Sequence, residues 1–349
     1  MKKKLMKKNT DYPKWKIFLD LGKRNLKLNQ NISANNALSK SISIKQDNYL
    51  SFYYRGQARH RLKNYTLAIK DLTKSLEIKK DFYTYIQRGI SYYETNKYDD
   101  SLDDYNFAYK LFCKNSKIKY ANQLFFHRGV TLYVLKKHQQ SVYDFSKAIK
   151  LGLDSFAVFQ NRGFGYFHLQ KLDNALLDFK EAIKRNPDNE NQLTCYEQLC
   201  LINIKLKNFE EVEKYAKKGF VLSKKNNWNG ESTLTLAERE KINKCWLLFL
   251  GFSNIKLNNF KKAEYWLKQV NFGYMDRPHI RIGEYICRAF TLTHLDKYEK
   301  ALEYIDRAFR HKRIFGWNFI FSEIDDLIIE FPIEMKNIIS IKYQYKFNK

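Results

Sequence analysis

Apolar and small residues recur along the chain at helical spacing, and in its clearest stretch the pattern restarts every 33 to 40 residues. Four segments superpose on sight: FYYRGQARHRLKNYTLAIKDLTKSL from Phe52, YIQRGISYYETNKYDDSLDDYNFAY from Tyr85, FFHRGVTLYVLKKHQQSVYDFSKAI from Phe125 and FQNRGFGYFHLQKLDNALLDFKEAI from Phe159. Their glycines, Gly56, Gly89, Gly129 and Gly163, lie 33, 40 and 34 residues apart. Weaker copies begin at Tyr196, Leu247 and Tyr285, with Cys200, Gly251 and Ala289 in the glycine column. A fixed period of this length marks an array of small stacked units rather than one continuous domain fold.

The columns have a physical meaning. The glycine column is small throughout, so a partner helix must approach the backbone there. Twelve residues on, a second small column runs Ala68, Ser101, Ser141, Ala175, Val212, Ala263 and Ala301. Seven further, a third runs Ser75, Ala108, Ala148, Ala182, Gly219, Val270 and Ala308. Large apolar residues such as Leu62, Tyr65 and Leu72 sit between them at helical spacing. Each unit therefore predicts two antiparallel amphipathic helices joined by a short polar turn, Lys63-Asn64 in the first copy. No such pair buries its apolar face alone; neighbours must stack to do so.

The pattern resembles the tetratricopeptide repeat family. The fourth copy carries it best, with Phe159, Gly163, Tyr166, Ala175, Phe179, Ala182 and a closing Pro187. The resemblance covers about residues 47–313 and implies an all-α, right-handed α-solenoid of about seven helix-turn-helix repeats with terminal helices. Only that copy has the closing proline, and Phe, Tyr or Leu replaces the family's usual tryptophan.

Outside the regular copies, 51 residues separate Cys200 from Gly251. The excess reads as a loop at the Asn-Asn-Trp-Asn-Gly run, then a capping box from Thr235 to Glu238 and a lengthened helix from near Leu236. KNSKIKYA near residue 117 and NFGYMDRPHI near residue 275 read as loops between repeats. Residues 1–46 are expected to be a basic N-terminal tail with one short helix, and residues 314–349 to be C-terminal capping helices interrupted at Pro332.

Composition sharpens this picture in two ways. Four prolines and thirteen glycines are few for 349 residues, which disfavours turn-rich sandwiches and barrels. No stretch reaches the 18 or more apolar residues of a membrane span. Five cysteines without a paired spacing, and no apolar signal segment behind the basic start, point to reduced thiols and a cytoplasmic location. The net charge of +26 has two readings. One is a nucleic-acid or acidic-surface binder that uses the N-terminal tail and surface lysines, since ten Lys/Arg oppose two Asp between Met1 and Leu28. The other is compositional bias, since 48 of the 63 cations are Lys and only 15 are Arg, the side chain that reads phosphates and bases best.

Enzyme signatures are missing: the sequence has no phosphate-binding loop, dinucleotide fingerprint, zinc-protease helix or nucleophile elbow. Gly163-Phe-Gly165 falls inside a predicted helix, out of context for a nucleotide. Cysteine and histidine spacings match no metal site, and no cofactor is expected. The informative surface is the side of the first helices that lines the concave groove in the family the chain resembles. It carries Tyr53 and Gln57, then Gln87 and Tyr93, then Phe126, His127 and Tyr133. Gln160, Asn161 and Phe164 continue it, followed by Phe249 and Phe252. Aromatic groups with polar tips suit a protein-binding surface; the same residues could also be packing between neighbouring helices. The lysines with which co-chaperone members clamp a peptide carboxylate have no counterpart at these positions. The expectation is a non-enzymatic scaffold that binds a protein or peptide segment in the groove.

Overall fold

A computed structural model describes residues 12–185, 188–224, 236–270, 278–315 and 324–343. Among them the regular structure is helical throughout, without a strand. The chain divides into two compact units, Met1–Leu169 and Gln170–Lys349.

The first unit holds α1 (Lys14–Lys27), α2 (Asn31–Ile44), α3 (Tyr49–Arg61), α4 (Tyr65–Ile78), α5 (Phe82–Glu94), α6 (Tyr98–Lys114), α7 (Ala121–Val134), α8 (His138–Lys150) and α9 (Phe156–His168). Consecutive helices pack against each other, and α1, α3, α5, α7 and α9 also touch in turn, so the first helices form one row. The small columns create the seams. A Cβ at Gly129 would lie 2.8 Å from the Phe145 ring, and one at Gly22 would collide with Leu38. Ser141 in the second small column donates to the Gly129 carbonyl at 2.8 Å. Side chains cap several first helices: Asn48 accepts from the Leu50 and Ser51 amides, and Asp81 from that of Thr84.

The second unit holds α10 (Leu172–Lys184), α11 (Asn189–Lys205), α12 (Phe209–Lys224), α13 (Leu236–Lys256), α14 (Phe260–Lys268), α15 (Pro278–Thr293), α16 (Tyr298–Phe315), α17 (Ile324–Glu330) and α18 (Ile333–Tyr343). The helix expected from near Leu236 is α13, and Phe331 and Pro332 separate α17 from α18. The basic tail, Pro187, the Asn-Asn-Trp-Asn-Gly run, Thr235 of the capping box and most of the segment near residue 275 lie outside the described residues.

The region before residue 47 differs from expectation. Instead of one short helix, α1 and α2 form a full hairpin whose Leu19, Leu26, Ala34 and Leu38 share a core with Ala58. The hairpin obeys the columns, with Gly22, Ala34 and Ser41 in register. A backbone signature counts the units independently. Asn29, Lys63, Asn96, Lys136, Gln170, Lys207, Asn258 and Asp296 all have φ between 56° and 61°. Each stands seven residues after its column residue. In the first sequence copy the Lys63 amide donates to the His60 carbonyl and that of Asn64 to Arg59, both at 2.8 Å, which closes the helix in a left-handed cap. Among the described residues, eight turns of this kind make eight units where the sequence reading has seven.

Candidate functional site

In the first unit the expected face is a real assembly of side chains. Gln57 on α3 donates to the Tyr53 hydroxyl at 2.8 Å and approaches the Gln87 carbonyl oxygen on α5 at 3.5 Å. His60 and the Ser91 hydroxyl lie 3.0 Å apart across the same two helices. On α7, the His127 ring stacks on Tyr105 and meets Phe126 edge-on. Tyr133 hydrogen-bonds His168 at 2.9 Å and sits 6.4 Å from the Phe164 ring on α9. Asn161 donates to the Ala157 carbonyl one turn back, at 2.8 Å. Tyr53, Gln57, Gln87, Tyr93, Phe126, His127, Tyr133, Gln160, Asn161 and Phe164 are all half-buried, neither core nor fully solvated. None carries a formal charge at neutral pH. Burial pushes the His127 imidazole down to about 4, with the nearby His60 adding to the effect, and raises the Tyr53 and Tyr133 phenols. The face therefore offers amides, phenols and neutral imidazoles between aromatic rings. It can bond polar main chain and hold apolar side chains.

Phe249 and Phe252 require correction. They are 1% and 0% exposed, so they belong to the core of the second unit and line no open face. The reason is their helix: every residue from 246 to 255 is buried, because α13 packs against α12, α14 and α15. A helix enclosed on all sides has no solvent face for column phasing to identify. Phe249 borders a small cavity of about 180 Å³ beside Glu197 and Cys245.

Sequence reasoning missed an ion-pair ladder. The residue before each column glycine is Arg in four copies, and an Asp follows sixteen residues later. Arg55 grips Asp71 through two bonds of 2.8 Å, Arg88 grips Asp104, and Arg128 grips Asp144. The remaining guanidinium nitrogen reaches the second helix of the preceding unit: Arg55 to Ser39, Arg88 to Thr73, Arg128 to Asn106 and Arg162 to Ser146, at 2.9 to 3.5 Å. The carboxylates are nearly dry, and burial pushes those of Asp104 and Asp144 up despite the arginines. The recurring Arg-Gly…Asp pattern was visible, but charge alone does not separate a buried pair from a solvated one. This ladder borders a cavity of about 510 Å³ between α6 and α8, lined by Asn106, Arg128 and Tyr143. It lies on the second-helix side. In the second unit, Glu284 is also buried, at 1% exposure, and its carboxyl is pushed up to about 8. Among the described residues no three His, Cys, Asp or Glu side chains gather in a metal-ligating group.

A family model described as "Tetratricopeptide repeat" matches residues 51–82, which span α3 and α4. No curated protein matches the sequence. Solved structures do. PilF of Pseudomonas aeruginosa is 14% identical over 58% of this chain and 89% of its own, with a TM-score of 0.51. PilW, described as a widely conserved type IV pilus biogenesis factor, is 14% identical over 58% and 91%, at 0.50. The MamA protein is 17% identical over 49% and 91%, at 0.43. At such identities the likeness concerns the fold alone.

Proposed function

We propose that the chain is a tetratricopeptide-repeat protein that acts as a non-enzymatic scaffold, holding a protein segment against the first-helix row of its N-terminal unit. One observation carries the reading: ten uncharged aromatic, amide and imidazole side chains from α3, α5, α7 and α9 share one half-buried face. Contacts such as Gln57–Gln87 and Tyr133–His168 link adjacent first helices, so the face is organised before any ligand arrives. Preorganised groups lose little rotamer freedom on binding. Their neutrality favours a segment with polar main chain and apolar side chains over an acidic tail. Surface lysines do not redirect this reading, since several are engaged locally with glutamates, as in Lys74–Glu77 and Lys214–Glu211.

Display selection of peptides on the folded protein tests it. A recovered peptide should bind Gln57→Ala and Tyr133→Ala at least about tenfold more weakly, equivalent to 1.4 kcal/mol, while melting temperatures stay close to wild type. Equal affinity for both variants would refute the assignment.

A further inference from the structure

In the N-terminal unit every first helix after α1 covers its backward side with the preceding pair. Five residues before the glycine column stand Ser51, Thr84, Leu124 and Val158, all 0% exposed. One residue before it stand the arginines that reach back to the previous second helix. On α1 the same two positions hold Ile17 and Leu21, which are 50% and 43% exposed. With Leu28, 56% exposed, they form one stripe at spacings of four and seven, and the exposed Lys14 and Arg24 lie in line with it. Asp20 at its edge is taken up by Tyr12 and Lys23. The outward face of this first described pair is apolar and cationic.

The C-terminal unit ends the same way with the opposite charge. Helices α17 and α18 turn Leu327, Ile328, Phe331, Met335 and Ile339 inward, each at 2% exposure or less. They leave Ile329, Ile333, Ile338 and Ile341 outside, at 38% to 81%. The exposed Asp326 and Glu334 lie among them, while Lys342 is drawn aside to Asp306.

We propose that these two faces are the halves of one interface, in which the α1 stripe of one copy seats on the α17–α18 face of another. Both surfaces are apolar patches of the kind that mark interaction sites. Lys14 and Arg24 would meet Asp326 and Glu334. Pairing two α1 faces would set cations against cations, and pairing two α18 faces would set acids against acids, so complementarity selects the head-to-tail arrangement. Such a heterologous contact leaves each copy with a second face free to pair, so copies add in series or close into a ring.

Sedimentation velocity on the full chain tests this. Wild type should gain mass with concentration, and less so as salt rises. Leu21→Glu and Ile341→Lys alter exposed positions on opposite faces; each alone should remain monomeric with wild-type melting. Mixed, they should form a one-to-one dimer and nothing larger, because one intact interface survives. Arg24→Glu should weaken association at least tenfold, and Glu334→Arg in the same chain should restore it. A wild-type protein that stays monomeric in the high-micromolar range would overturn the proposal. So would an Ile341→Lys variant that still self-associates alone, since that requires contact between like faces.

Discussion

Arg128 and Asp144 face each other at 9% and 1% exposure, so removing either leaves the other charged and out of water. Arg128→Ala should cost about 3–5 kcal/mol, read from urea melts. Replacing both with apolar residues of similar volume should cost much less, and equal losses would deny that the pair is buried. The phenylalanines separate core from face in the same manner. Phe252→Ala should lose roughly 3–5 kcal/mol. Phe126→Ala, half-buried beside His127 and Phe145, should lose less than half of that. His127 adds a pH signature. Its folded-state pKa of about 4 lies below the unfolded value near 6.5, so between those pH values the unfolded chain binds the extra proton. Stability should therefore fall by about 1–3 kcal/mol as pH drops from 6.5 towards 4, after discounting for partial exposure. His127→Gln should flatten that slope. At this scale the sequence was readable where residue volume recurs, as in the glycine column. It was opaque where burial decides meaning: Arg128 and Phe252 resemble a surface charge and a groove aromatic until their neighbours are known.

The α1–α2 pair shows how a repeat can hide from a periodic reading. Gly22 stands 34 residues before Gly56, with Ala34 and Ser41 in the two following small columns. The short helix expected before residue 47 is α1, but α2, rich in Asn and Ser, has too few large apolar residues to stand out as its partner. Leu38, 0% exposed and seated on Gly22, holds the hairpin closed. Leu38→Ala should cost about 2–5 kcal/mol, and should raise hydrogen exchange in α1 and α2 before α7 and α8, since repeats depend on their immediate neighbours. Exchange in α1 as fast as in an unfolded chain, already in the wild type, would contradict the hairpin. Helix α13 is the converse. Its start near Leu236 was legible from the spacing between Cys200 and Gly251, yet its orientation was not, because a helix buried on every side has no amphipathic phase.

For the whole molecule, the sequence stated the repeat architecture plainly, since the copies share columns that stacked helix pairs require. It left the net charge of +26 with two meanings. Deleting residues 1–11, which keeps the α1–α2 hairpin intact, decides between them. A nucleic-acid role predicts low-salt binding whose log–log salt slope shrinks on deletion, by about 0.9 for each duplex-DNA phosphate that the tail had neutralised. Compositional bias predicts no binding in either form. The central claim is that the first-helix row of the N-terminal unit is where a protein segment docks. Its most direct measurement is a titration of the display-selected peptide followed by the side-chain amide NMR signals of the labelled protein. The account predicts that Gln57, Gln87, Gln160 and Asn161 shift together and saturably. Unmoved signals at those four, with shifts instead at Asn106 and Gln140 around the second-helix cavity, would place the ligand on the opposite side and contradict it.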